Sequence, residues 1–376
     1  MKCFPFRLIS IPLYFAINTL SYNLLLLSAF SFISCRSNSI PTFEPFDGSS
    51  ATPFSDAGTF RVWRELLEEV TLANKPRALL LDHGEESLTL RINLIRSAKK
   101  SISMQTFSWE FDEVGKLILW ELIQANQQRG IQVKLLIDHM FNEHQPEVIA
   151  LLSTLGPSFE IKYFNPSAKR LSPSFIEKLS DLTIDFHDHN VRLHNKLFLI
   201  DNCIALTGGR NINNHYFDQV IGMNYKDRDV LLILPSSTEI TNCFYSYWNS
   251  NNSISTRELI DVKKLLAENN FSKSLQKKRF FEYDIFKQIS ARASNKKYIH
   301  DQFVVPLCEV ERVEWIYDLP DKVDRAPVSN SAVTTRLLDL MKGAETDVVI
   351  QSPYVVLSSD IQKAFAELKQ KRNNVS

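Results

Sequence analysis

The amino-acid sequence predicts an α/β fold, a mixed sheet flanked by helices. Two observations carry that prediction. Between residues 87 and 164, segments of helical apolar period alternate with short apolar runs of strand length, an order that builds layered α/β structure. The composition, 44% hydrophobic and 23% charged, is that of an ordinary globular chain. A length of 376 residues leaves room for roughly two domains.

The elements follow in order. Ser87 to Lys100 places Leu88, Ile92, Leu94, Ile95 and Ala98 at helical spacing. Ser101 to Trp109 reads as a buried strand. Asp112 to Gln128 reads as a helix with Leu117, Leu119, Trp120, Leu122 and Ile123 on it, ended by Arg129-Gly130. Ile131 to Asp138 is a strand, Pro146 to Leu155 a helix and Phe159 to Phe164 a strand. Further strands are expected at Val191 to Asp201, Cys203 to Thr207 and Asp229 to Leu234, then a helix from Ser237 to Trp248. Residues 251 to 325 read as an irregular connection. Within them, Lys273 to Lys297 holds eight Lys or Arg against two acids, interleaved with Phe280, Phe281, Tyr283 and Phe286. It reads either as a solvated helix face or as a surface for membrane headgroups.

The N-terminus carries an address. Lys2 and Arg7 precede an apolar stretch from Leu8 to Ser34, whose cleaner part is Leu24 to Ser34. That part has the length of a signal-peptide core. It ends Phe32-Ile33-Ser34-Cys35, like a bacterial lipobox with Phe32 where Leu is usual. One reading is a lipoprotein signal with Cys35 lipidated. The other is an uncleaved anchor, since Leu8 to Ser34 is long enough to span a bilayer. Both put the protein, as an exported bacterial chain, at a membrane surface. Residues 36 to 75 are then a linker and a first helix.

Lys plus Arg and Asp plus Glu each total 43, so no basic field marks a dedicated nucleic-acid binder. Five cysteines, Cys3, Cys35, Cys203, Cys243 and Cys308, show no metal-ligand spacing, which argues against zinc. No metal and no cofactor are expected.

One segment carries chemistry. Arg192 to Asp201 reads RLHNKLFLID and is followed by Gly208-Gly209-Arg210-Asn211. On a strand, His194 and Lys196 share a face, and Asp201, seven positions from His194, has the opposite parity. An imidazole beside an ammonium suits phosphoryl chemistry, with a nucleophile or proton carrier next to a charge that stabilises phosphate oxygens. Gly208-Gly209 permits a tight turn or close backbone approach to a ligand, and Asn211 then returns an amide to the site.

The pattern H-x-K, four residues, D, six residues, G-G-x-N resembles the HKD motif of the phospholipase D superfamily. The wider stretch HNKLFLIDNCIALTGGRNINNHYF, followed by KDRDVLLIL, is similar to its bacterial cardiolipin synthase and phosphatidyltransferase members. The earlier segments EESL, QTFSWEFDEVG and RGIQVKLLID resemble the family as well. The resemblance covers residues 76 to 250 as a first half. It implies that His194 forms a phosphohistidine or serves as its acid/base partner. Lys196 and Asn211 would bind phosphate, Asp227 would orient the histidine within hydrogen-bond reach, and Asp201 would be structural within the catalytic motif. The implied partner is a phosphatidylglycerol-like phospholipid.

Residues 326 to 376 look like the start of a second half. At a shift of 246, Leu94 meets Leu340, Ala98 meets Ala344, Gln105 meets Gln351, Glu121 meets Glu367 and Leu122 meets Leu368. Asp347 to Leu357 would be its strand. The family site takes two facing motifs, and these 376 residues hold one. His300 is followed by Gln302 rather than Lys, and His187 and His189 also lack the pattern. The expectation is a chain truncated before its second motif and impaired alone. It would be a phosphatidyltransferase of cardiolipin-synthase type, with a nuclease of the same superfamily or a non-catalytic lipoprotein as alternatives.

Overall fold

The computed structural model describes residues 57–140, 145–174, 192–268, 284–320, 331–350 and 359–371. The N-terminal segment with Cys35, His187, His189 and residues 273–283 of the basic stretch lie outside them. Among the described residues, no helix is long and apolar enough to cross a membrane. These residues fall into two units, divided after Trp315.

The first unit is built on a nine-stranded sheet. Its strands are β1 (Arg77–Leu81), β2 (Ser101–Thr106), β3 (Gln132–Asp138), β4 (Phe159–Phe164), β5 (Leu197–Ile200), β6 (Ile204–Gly208), β7 (Asp229–Ile233), β8 (Ser253–Ser255) and β9 (Cys308–Glu309). The order across the sheet is β8-β4-β3-β2-β5-β6-β7-β1-β9. Strands β2, β3 and β4 are mutually parallel, and β5, β6 and β7 form an antiparallel meander beside them. The sheet is therefore mixed, as the sequence predicts.

Helices α1 (Ala57–Ala73), α2 (Gly84–Ser97), α3 (Glu113–Arg129) and α4 (Pro146–Leu152) pack on one face, against Met104, Leu135, Ile161, Phe198, Leu206 and Leu231. The other face lies against α5 (Thr238–Trp248), where Tyr247 meets Phe164 at 5.7 Å between ring centroids. With both faces covered, the central strands are apolar at successive positions, so β5 reads LFLI with all four residues buried. Helix α3 has the ends its sequence announces. Asp112 accepts from Gly115 N at 3.0 Å, and Gly130 takes the left-handed conformation with φ of 69°.

Three expectations are corrected. The strand expected from Val191 begins only at Leu197, where pairing with β2 begins at Gln105. The region after residue 250 is more regular than expected, with β8, α6 (Ile260–Glu268), α7 (Asp284–Ser294) and α8 (Lys296–Ile299), then a short π-helical stretch from His300 to Val304. Ser87 starts the expected first helix, whereas α2 begins at Gly84 and follows a strand, β1, that the sequence reading did not assign.

In the second unit, α9 (Ala332–Gly343) and α10 (Ser359–Lys371) pack through Met341, Ala364 and Leu368. Asp347 to Ile350, expected as the start of a strand, are exposed and outside any strand. The rest of that stretch lies outside the described residues.

Candidate active site

Because β5 runs antiparallel to β2, its amino end sits beside the carboxyl ends of β2 and β3. Ligands in open α/β sheets gather at such carboxyl ends. Asp138, the last residue of β3, is fully buried and fixes the segment before β5 by accepting from Leu193 N at 2.8 Å. It also accepts from Met140 N at 2.8 Å. Burial pushes the Asp138 carboxyl up to about 7, against the pull of Arg192 and of those backbone donors.

This anchoring brings His194 and Lys196 together without a strand. Lys196 Nζ lies 3.4 Å from His194 Nε2 and donates to His194 O at 3.0 Å. The Phe107 ring backs both, 4.9 Å from the His194 ring and 5.4 Å from Lys196 Nζ. Burial, then the neighbouring ammonium, holds His194 down to about 3, so its imidazole is neutral at physiological pH. Burial also lowers Lys196 to about 8, while Asp227 and Asp138 support its charge. The pair is an uncharged imidazole beside a cation that has lost part of its hydration.

Asp201 sits at the far end of β5, in the left-handed region with φ of 50°. It accepts from Lys99 N at 2.8 Å, Lys100 N at 2.7 Å and Ser101 N at 2.9 Å. It joins the start of β2 to the end of β5 and stays away from the histidine, which lies beyond the other end of that strand. Asn211 is buried, with Oδ1 accepting from Ser108 N at 3.2 Å and Nδ2 donating to the Tyr216 hydroxyl at 3.2 Å. Its amide is thus held on both sides.

Asp227 departs from its expected role. Among the described residues it makes no hydrogen bond to His194. Its Oδ1 accepts from Arg228 N at 2.8 Å, and its charge acts on Lys196. Burial raises its carboxyl above the usual range. The double glycine serves this arrangement. A methyl group on Gly209 would lie 2.2 Å from Asp227 Oδ1, and one on Gly208 would lie 2.3 Å from Arg228 O. The close approach is therefore to the segment entering β7.

The sequence reading missed the group that holds the turn. Asp229, buried at the start of β7, receives Arg91 Nη1 at 3.0 Å, Arg210 Nη1 at 3.2 Å and Ser87 Oγ at 2.6 Å. Arg210 further donates to the carbonyls of Leu81, Asp82, Tyr216 and Asp227. It ties the Gly-Gly turn to β1 and to the loop before β7. A charged residue at the variable position of G-G-x-N was the available signal for Arg210, and a carboxylate ending an apolar strand was that for Asp138.

A histidine, a paired lysine and a glycine turn held by buried charges thus lie together, in the arrangement expected from the resemblance to the HKD motif. Residues 91–265 match the family described as cardiolipin synthase, PLD-like domain. Among curated relatives, an uncharacterized protein of Helicobacter pylori strain J99 is 29% identical over 289 residues, 77% of this chain and 56% of that one. Cardiolipin synthase C of Escherichia coli K12 is 30% identical over 182 residues, 48% of this chain and 37% of that one. The chain thus spans about half, or less, of the length of these relatives. A solved phosphatidylserine synthase from Haemophilus influenzae Rd KW20 aligns over 82% of this chain and 64% of its own, with 17% identity and a TM-score of 0.48.

Proposed function

We propose that the protein is a phosphatidyltransferase of cardiolipin-synthase type, acting at a membrane surface on a phosphatidylglycerol-like lipid. The neutral His194 held against Lys196 is the observation that carries this reading. His194 Nε2 attacks the lipid phosphorus. The P–N bond forms as the P–O bond to the headgroup glycerol breaks, and the departing alkoxide takes a proton. A hydroxyl of a second phosphatidylglycerol then attacks, giving up its proton as the P–N bond breaks and the free imidazole returns. Lys196 stabilises the charge spread over the phosphate oxygens. An arriving phosphate anion also raises the proton affinity of the depressed imidazole.

The departing alcohol needs an acid, and general acid catalysis is worth about 10²–10⁴-fold. Among the described residues no second histidine hydrogen-bonds or stacks with His194, so we expect slow turnover from this polypeptide as a monomer. A second copy of the motif in trans would raise the rate with protein concentration. Localisation by a lipidated Cys35 or by an uncleaved anchor is part of the same proposal, and mass spectrometry of membrane-extracted protein separates the two.

The test is full-length protein with phosphatidylglycerol labelled in the phosphatidyl group, assayed for cardiolipin and for an alkali-stable protein label. Both should depend on His194. Cleavage of single-stranded DNA without any lipid product would overturn the reading.

A further inference from the structure

The structure assigns a second, non-catalytic lipid contact, the turn Val220–Asn224, as a rigid apolar wedge that enters the bilayer beside the active site. The assignment rests on the phosphatidyl-transfer reading for its choice of partner. Ile221 is fully exposed, Met223 is 74% exposed and Tyr225 is 45% exposed. A lone exposed apolar side chain is ordinary. These residues sit on one closed turn. Val220 N donates to Asn224 Oδ1 at 3.2 Å, and Asn224 Nδ2 donates back to Val220 O at 2.9 Å. Between them Gly222 has φ of 124°, a conformation that favours glycine. The Met223 carbonyl meets His215 Nδ1 at 3.0 Å, and Tyr225 N donates to His215 O at 2.9 Å.

Two features fit a lipid surface. The turn is tied at its base, with Val220 N and O on Asn224 and the Met223 carbonyl on His215, so that Ile221 and Met223 project from a closed loop. The charges at its base are already paired, Lys226 with Asp218 at 3.1 Å and Arg228 with Asp82. The turn is thus not shaped to seek an acidic or basic partner. Its root is the site itself. The Tyr225 ring lies tilted against Tyr216, with 4.9 Å between centroids, and the Tyr216 hydroxyl accepts from Asn211. Asp227 follows two residues after Tyr225. A tip lodged below the headgroups would hold the motif at the depth of the lipid phosphates, with the tyrosines at the polar boundary that such rings favour.

The probe is the full chain with Ile221→Trp, read as emission in excess of the unsubstituted protein on phosphatidylglycerol–phosphatidylcholine vesicles. The added emission should move to shorter wavelength, be quenched by lipids brominated on the acyl chain, and persist in high salt. A reporter that stays open to aqueous acrylamide with vesicles present would overturn the proposal, as would a shift that follows protein concentration instead of lipid. In a separate arm, Ile221→Ser with Met223→Ser should lower kcat/KM on vesicles about tenfold or more, and leave the rate on monomeric short-chain phosphatidylglycerol unchanged. Equal losses on both substrates would also overturn it. If the tip inserts while no lipid is turned over in either form, the wedge stands and the phosphatidyl-transfer reading fails.

Discussion

The two ends of strand β5 carry residues of one motif and are built in opposite ways. At the far end, Asp201 accepts from three consecutive backbone N–H groups. At the near end, the half-buried His194 and Lys196 face each other, with a phenyl ring behind them. One end uses its polar groups to close the fold. The other holds polar groups short of the partners that would quiet them. The motif is thus half scaffold and half chemistry, and the division falls along a strand of four residues.

The sharpest way to break this comparison is His194→Ala. Removing the proposed attacking group should lower lipid turnover by at least about 10³-fold, with a thermal midpoint within a few degrees of the parent. Labelled headgroup release and a melting curve on the same sample check both halves. Residual activity above one tenth would put the chemistry elsewhere.

Lys196→Met comes next, with an expected loss of about 10²–10³-fold, as for removal of one oxyanion donor. Its pH signature separates it from a packing defect. With Lys196 near 8, activity should fall as pH rises through 8, and that limb should vanish in the variant. No limb near pH 6.5 is expected from His194, which is already neutral there. Stability runs the other way. The unfolded chain keeps the lysine proton up to about 10.4, the folded one only to about 8, so between those values the unfolded state binds more protons and stability rises with pH.

Much of this division was legible in sequence, because period and spacing are local properties. The sequence reading set Asp201 apart from His194 by parity along one strand, whereas in the fold the two lie beyond opposite ends of β5; the ends of α3 were written in Asp112 and Gly130. What was not legible depends on contacts between distant segments. Leu193 N reaches Asp138, 55 positions away, which is why the backbone at 192–196 forms no strand. Asp229 was read as a strand residue, and the arginines that bury it come from α2 and from the glycine turn. Asp227 was assigned to the histidine by resemblance. In the fold it lies against Gly209 and acts on Lys196, a placement that the β6–β7 register decides.

Asp201→Ala tests the scaffold end. Three backbone donors lose their acceptor at a half-buried site, and a stability loss of about 2 kcal/mol is expected, water recovering part of each bond. Urea unfolding measures it. The folded fraction should turn over lipid within about twofold of the parent. Asp201→Asn keeps an acceptor and tolerates the left-handed backbone, so it should lose roughly half as much.

The smallest expected effect lies at Tyr216, and it tests the near end most finely. Tyr216→Phe removes only the hydroxyl that accepts from Asn211 Nδ2, while Ser108 N still holds the other side of that amide. A neutral hydrogen bond of this kind is worth about 1 kcal/mol, so a loss of about two- to fivefold in kcat/KM is expected. Asn211→Ala should cost more, since it removes the amide itself along with both bonds. The comparison then turns on where each small loss appears. A hydroxyl that positions a phosphate-binding amide should change rate and leave the urea midpoint nearly still. If Tyr216→Phe instead lowered the midpoint and spared the rate, the hydrogen bonds at this end would be structural too, and the two ends of β5 would not differ in kind.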